Sequence, residues 1–254
     1  MQSLHEYVLA PLLTAAARVD REQTEVAAER DAFAAFRDQV ADVDSARPGT
    51  SQRCIATSKR DSAALERVWA AYRETVTGVA HYERVYGESA AEHAAFELGS
   101  SVAERLRDRR SATFTPAVKR AVLVAAQRAV DDRRALLARL DAEASSLDGA
   151  REGLGDLLEP LSSAVVPEWH RESFVRQLDA IAERRQNRLR ERSDTTDGEK
   201  FYLIDHLYND GTWTFPVLTG VARVQEAVTF GSTIDNSSAT PPRETPSDGA
   251  EPCP

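Results

Sequence analysis

Leu12, Val19, Val26, Phe33 and Val40 recur at intervals of seven residues, and Ala15, Phe36 and Val43 fill part of the row three residues on. That spacing draws one apolar seam along a helix, so the start of the chain is predicted to be a single long helix over 8–44. The remaining faces carry Arg21, Glu25, Glu29, Arg30, Asp31, Arg37 and Asp38, where pairs such as Arg21 and Glu25 meet one turn apart. Glu22 and Glu29 fall on the companion row itself, which argues against a strict leucine zipper.

A Pro48-Gly49 dipeptide among Ser, Thr and Arg predicts a loop over 45–61. Leu65, Val68, Trp69, Tyr72, Val76, Val79 and Tyr82 then define a helix over 62–86, with Gly87 at its expected end. Ser89 with Glu92 and Ser101 with Glu104 read as capping boxes that open short helices over 89–98 and 101–110. Thr115-Pro116 opens a further helix over 116–148. Beyond it Gly149, Gly153 and Gly155 each cost about 1 kcal/mol in a helix interior, which predicts a weakened or broken helix. Phe174, Val175, Leu178, Ile181 and Leu189 mark the next helix over 168–193.

Five aromatics, Phe201, Tyr202, Tyr208, Trp213 and Phe215, crowd around an Asn209-Asp210-Gly211 turn in a chain that is only 7% aromatic. A helical hairpin over 201–230 fits them best, and a β-hairpin is the alternative for its middle. From Ser232 to Pro254 there is almost nothing to bury, so residues 232–254 are expected to be a disordered tail. The fold class that follows is all-α: an elongated bundle of long amphipathic helices with coiled-coil-like packing, one domain over 1–231, and that tail.

The pieces Arg30-Asp31-Ala32-Phe33, Ala71-Tyr72-Arg73-Glu74-Thr75-Val76, His81-Tyr82-Glu83-Arg84-Val85-Tyr86-Gly87-Glu88, Leu207-Tyr208 and Trp213-Thr214-Phe215-Pro216-Val217-Leu218 occur in this order. Together they resemble a family of helical proteins of unknown function from halophilic archaea, over roughly residues 8 to 230. The resemblance implies a helical fold and an organism class, and it brings no catalytic residues.

Charge bounds the choice of partners. Acidic residues exceed basic ones to give a net charge of -9, and only Lys59, Lys119 and Lys200 are lysines among 32 basic residues. Such a surface repels phosphate and anionic lipid, so nucleic acid and membrane are not the expected partners, and it suits a salt-rich cytoplasm. Cys54 and Cys253 offer neither a disulfide framework nor zinc spacing, and no apolar stretch approaches the ~20 residues needed to span a bilayer. A cytoplasmic protein is expected.

Three clusters carry candidate chemistry. Glu88, Glu92, His93 and Glu97, with His81 and Glu83 nearby, have side chains that bind divalent metals, but no His-Glu-x-x-His spacing, so a solvated acidic face is the simpler reading. Arg184, Arg188 and Arg192 fall on one helical face about 12 Å long, as a phosphate-tracking row would, although Glu183 and Glu191 dilute them. Trp213, Phe215 and Tyr208 are candidate structural anchors or a partner patch. Neither a nucleophile elbow nor a phosphate loop is present, and Trp69, Tyr72, Tyr82 and Tyr86 read as core. No cofactor and no enzyme activity is expected. The function that fits is a helical scaffold or protein-protein interaction protein that docks a partner or a second copy, and the alternative is a DNA-associated regulator using Arg184, Arg188 and Arg192.

Overall fold

Helix is the regular structure throughout the computed structural model, which describes residues 4–45, 54–108, 113–163, 168–193, 203–209 and 212–236; the side chains of 54–61, 162–163, 168–169, 191–193 and 229–236 are not described. Among the described residues there are nine helices and no strand. They are α1 (Leu4–Asp42), α2 (Cys54–Thr75), α3 (Tyr82–Val85), α4 (Ala90–Glu97), α5 (Ser100–Arg107), α6 (Pro116–Ser163), α7 (Glu168–Ser193), α8 (Leu203–Tyr208) and α9 (Pro216–Asn236). The chain divides into two compact units. Unit 1 comprises Met1–Ala16 and Ser146–Pro254, and unit 2 comprises Ala17–Ser145.

In unit 2 the seam of α1 lies in the core: Val19, Val26, Phe33, Phe36 and Val40 are all buried. Side chains tie α1 to α6 in antiparallel order. Lys119 Nζ reaches the Ala41 and Val43 carbonyls, Arg37 reaches Gln127, Glu29 meets Arg133, and Gln23 donates to Asp141. Thr115 caps α6, its Oγ1 accepting from the Val118 amide at 3.2 Å. α5 packs on both α2 and α4.

Three boundaries depart from the sequence reading, each for a local reason. α2 starts at Cys54, well inside the expected loop, because polar composition after Pro48-Gly49 does not exclude a helix and no breaker stands between Ser51 and Thr75; Pro48-Gly49 itself lies outside the described residues. It ends at Thr75 instead of running to 86. There the Val76 and Thr77 amides both bond the Tyr72 carbonyl, and the backbone closes so tightly that a Cβ on Gly78 would lie 2.2 Å from the Glu74 carbonyl oxygen. Only a residue without a side chain fits that approach. Gly99, at φ 88 and ψ 142, starts α5 and leaves Ser101 inside the helix, so the second expected capping box does not form.

In unit 1, α6 runs through Gly149, Gly153 and Gly155 without a break. Leu147, Ala150, Leu154, Leu157 and Leu158 are buried along this stretch, and their burial offsets the glycine cost. Gly153 also lets α7 close in, since a Cβ there would meet Ile181 Cδ1 at 3.2 Å. α9 packs on α7 and extends to Asn236, past the expected tail start at 232; the rest of the tail, 237–254, lies outside the described residues.

Two cations cover carbonyls that helices leave open. Pro11 sits inside α1 and has no amide to bond the Tyr7 carbonyl four residues back; Arg223 of α9 donates to that carbonyl instead, with its guanidinium 4.1 Å above the Tyr7 ring centre. Lys119 serves carbonyls at and just past the end of α1, at 2.6 Å from Ala41 O and 2.7 Å from Val43 O. Lys119→Met is therefore expected to destabilise the protein by about 1–2 kcal/mol, because two acceptors lose a charged donor. Chemical denaturation that gives the wild-type midpoint would contradict this.

Candidate functional site

The break after Thr75 has a consequence for chemistry, because it turns the chain so that Tyr82 and Tyr86 face α4. His93, on α4 and only 1% exposed, lies among four rings with centroids 6.4 Å (Phe33), 6.1 Å (Tyr72), 5.2 Å (Tyr82) and 4.5 Å (Tyr86) away. α4 is held in register by the Ser89–Glu92 capping box, as its sequence implies. His93 Nδ1 and the Tyr72 hydroxyl are 2.8 Å apart and share a hydrogen bond. Its Nε2 is buried with no hydrogen-bond partner among the described residues; Glu97 Oε1 stands 3.9 Å away, too far for one.

Beside the ring box runs a chain of ion pairs. The Arg133 guanidinium forks onto Glu97, Nη1 to Oε2 at 2.9 Å and Nη2 to Oε1 at 2.5 Å. Its Nε turns the other way to Glu29 Oε2 at 3.2 Å, and its plane lies 4.6 Å from the Phe33 ring centre. Glu29 Oε1 in turn meets His81 Nε2 at 3.1 Å and accepts from the Tyr86 hydroxyl at 2.9 Å. The side chains of Arg133, Glu29 and Glu97 are only 11%, 12% and 9% exposed, so they interact in a medium far less screening than water.

Burial and pairing shift the protonation of this cluster. Burial pushes His93 below its ordinary value of 6.5, assisted by the Arg133 charge, while Glu97, Glu88 and Glu29 pull the other way. The Tyr72 and Tyr86 phenols are pushed well above the ordinary tyrosine range, first by burial and then by the carboxylates Glu97 and Glu29 respectively. Burial works against the charge on Arg133, but its hydrogen bonds to Glu97 and the charges of Glu97 and Glu29 more than offset that and hold it protonated. The cluster sets two carboxylates, Glu29 and Glu97, about one guanidinium, with one buried polar atom, His93 Nε2, left without a hydrogen bond among the described residues.

The sequence-predicted site residues scatter against this picture. His81, His93 and Glu97 come together, whereas Glu83 and Glu92 are exposed and Glu92 is engaged by Ser89. Among the described residues no group of three His, Cys, Asp or Glu side chains is arranged to hold a metal, and the cation beside Glu97 is Arg133. On α7, Arg184 is exposed with its Nε on the Ala180 carbonyl, Arg188 is half-buried, and the Arg192 side chain is not described; the neighbouring Arg185 is buried and donates to Ser146 Oγ at 3.2 Å. Tyr208 is buried and Trp213 half-buried, with Arg223 5.4 Å from its ring centre. Phe215, a candidate anchor or partner-patch residue, is 47% exposed just ahead of α9, whose Val217 is buried. Arg133 was not visible as a site residue, and its partner Glu29 showed only as an acidic residue where an apolar one belonged.

A family model described as a domain of unknown function, DUF7260, matches residues 10–230, which include every residue of the cluster. The chain belongs to the DUF7260 family. No curated protein and no solved structure matches it. Among the described residues of this DUF7260 chain, no helix is long and apolar enough to cross a membrane.

Proposed function

We propose that the protein is a non-catalytic interaction protein of a salt-rich, halophilic archaeal cytoplasm, which docks a protein partner or a second copy through apolar side chains of unit 2. The observation that carries this reading is Phe96. It stands 83% exposed on α4, between His93 and Glu97 in the sequence, and Val124 on α6 is 64% exposed. Apolar surface left in water contributes nothing to the fold and is gained back on association. The acidic balance and the scarcity of lysine support the salt-rich setting.

Phe96→Ser tests it, because the side chain is outside the core and its removal leaves the melting temperature within about 2 °C of wild type. Wild-type protein is expected to associate on sedimentation at rising concentration in molar potassium chloride, or to capture a partner that Phe96→Ser loses. If wild-type and variant behave alike in both assays, the reading is wrong. Salt-sensitive binding to duplex DNA by wild type, abolished by Arg184→Ala, would support the α7 arginines instead.

A further inference from the structure

The fully buried histidine on an eight-residue helix is wired to both of that helix's polar attachments. α4 is held by the Tyr72–His93 hydrogen bond to α2 and by the Glu97–Arg133 fork to α6. His93 touches the first directly, and its Nε2 faces the second across 3.9 Å. We propose that His93 is an acid-operated latch: taking a second proton onto its ring sets it against Arg133 for Glu97 and releases α4 from α2 and α6.

The groups facing the ring argue for release. Doubly protonated imidazole has two donors, and Tyr72 can accept from Nδ1, but the acceptor near Nε2 is a Glu97 carboxylate whose two oxygens already serve Arg133. α1 presents Phe33 and Glu29, the latter taken by Arg133, His81 and Tyr86; α3 and its flanks present Tyr82, Tyr86 and Glu88. α5 contributes only Ala103 and Leu106 to its buried side, and α6 contributes Arg133, a like charge to the protonated ring. A cation formed here loses its hydration, is repelled by Arg133, and finds its nearest carboxylate oxygen, Glu97 Oε1, 3.9 Å from Nε2; burial outweighs the pull of Glu97, Glu88 and Glu29, so the chain gains by exposing it.

The sign follows from the direction of the shift. His93 binds its proton less readily in the closed state than in an open one, where it returns to about 6.5. The closed state is therefore fully favoured above that value and loses its advantage as pH falls below it, by about tenfold for each unit of difference between the two states. This window lies above the ordinary carboxylate range near 4, so it is separable from acid unfolding through Asp and Glu.

Amide hydrogen exchange of the full chain at pH 7.5 and 5.5, corrected for the intrinsic effect of pH on exchange, reads the latch. The amides of α4 are expected to lose up to about tenfold in protection at pH 5.5 while those of Val122 to Val130 keep theirs, and His93→Gln is expected to abolish the difference. Unchanged α4 protection in wild type, an equal loss in His93→Gln, or a uniform loss in all helices would each overturn the proposal. Should His93→Gln not fold, an NMR titration of the wild-type imidazoles decides: the His93 ring must titrate with the midpoint of α4 opening, and a ring that stays neutral while α4 opens sinks the latch.

Discussion

Arg133→Met is expected to destabilise unit 2 by about 3–5 kcal/mol, the usual cost of leaving buried charges without their partner. Glu97 loses both arms of its fork and Glu29 loses one of its donors, at positions where water reaches about a tenth of each side chain. Methionine fills much of the volume, so the effect isolates charge from packing. For a protein of this size the loss corresponds to roughly 6–20 °C in melting temperature. Glu97→Gln in the Arg133→Met background should recover part of it, because the surviving carboxylate is then neutral. A single variant that melts within about 2 °C of wild type would mean that solvent already satisfies these carboxylates.

Phe33→Ala is expected to cost a similar 3–5 kcal/mol, from lost burial and the cavity left behind. Phe33 is 1% exposed, packs edge-on against Tyr72 with centroids 6.4 Å apart, and forms the floor under Arg133. Truncation therefore also removes a cation–π contact and loosens the guanidinium that holds Glu29 and Glu97. The two substitutions should not add: a double-mutant cycle between Phe33→Ala and Arg133→Met is expected to show a coupling of about 0.5–3 kcal/mol. Full additivity would show that the ring and the guanidinium act independently. Phe33→Leu, which keeps most of the volume, should lose only about 1.5 kcal/mol or less.

The long helices were legible because helix periodicity is a local property. Leu12, Val19, Val26, Phe33 and Val40 share a face whatever they pack against, and every one is buried in the structure. Start signals are equally local: Ser89 caps through Glu92 and Thr115 through Val118, each within three residues of its partner. Glycine was legible where the backbone itself decides, as at Gly87 with φ 59. At Gly149, Gly153 and Gly155 the intrinsic cost was read correctly but not the outcome, because burial of Leu147, Leu154 and Leu158 outweighs it, and burial depends on neighbours from elsewhere in the chain.

The cluster belongs to the tertiary structure altogether. Glu29 and Arg133 are 104 residues apart, Arg133 and Glu97 are 36 apart, and Tyr72 and His93 are 21 apart, with no periodic or motif relation between any of them. Sequence placed Glu29 where an apolar residue was expected and His93 among acidic neighbours, two anomalies that in hindsight mark the site. What sequence by itself determined is which faces of which helices must be buried, since amphipathicity follows from a fixed rotation per residue. Which charges those faces bring together was decided only when the chain turned at Gly78 and α1 and α6 paired antiparallel, because a buried ion pair needs partners whose distance is set by packing.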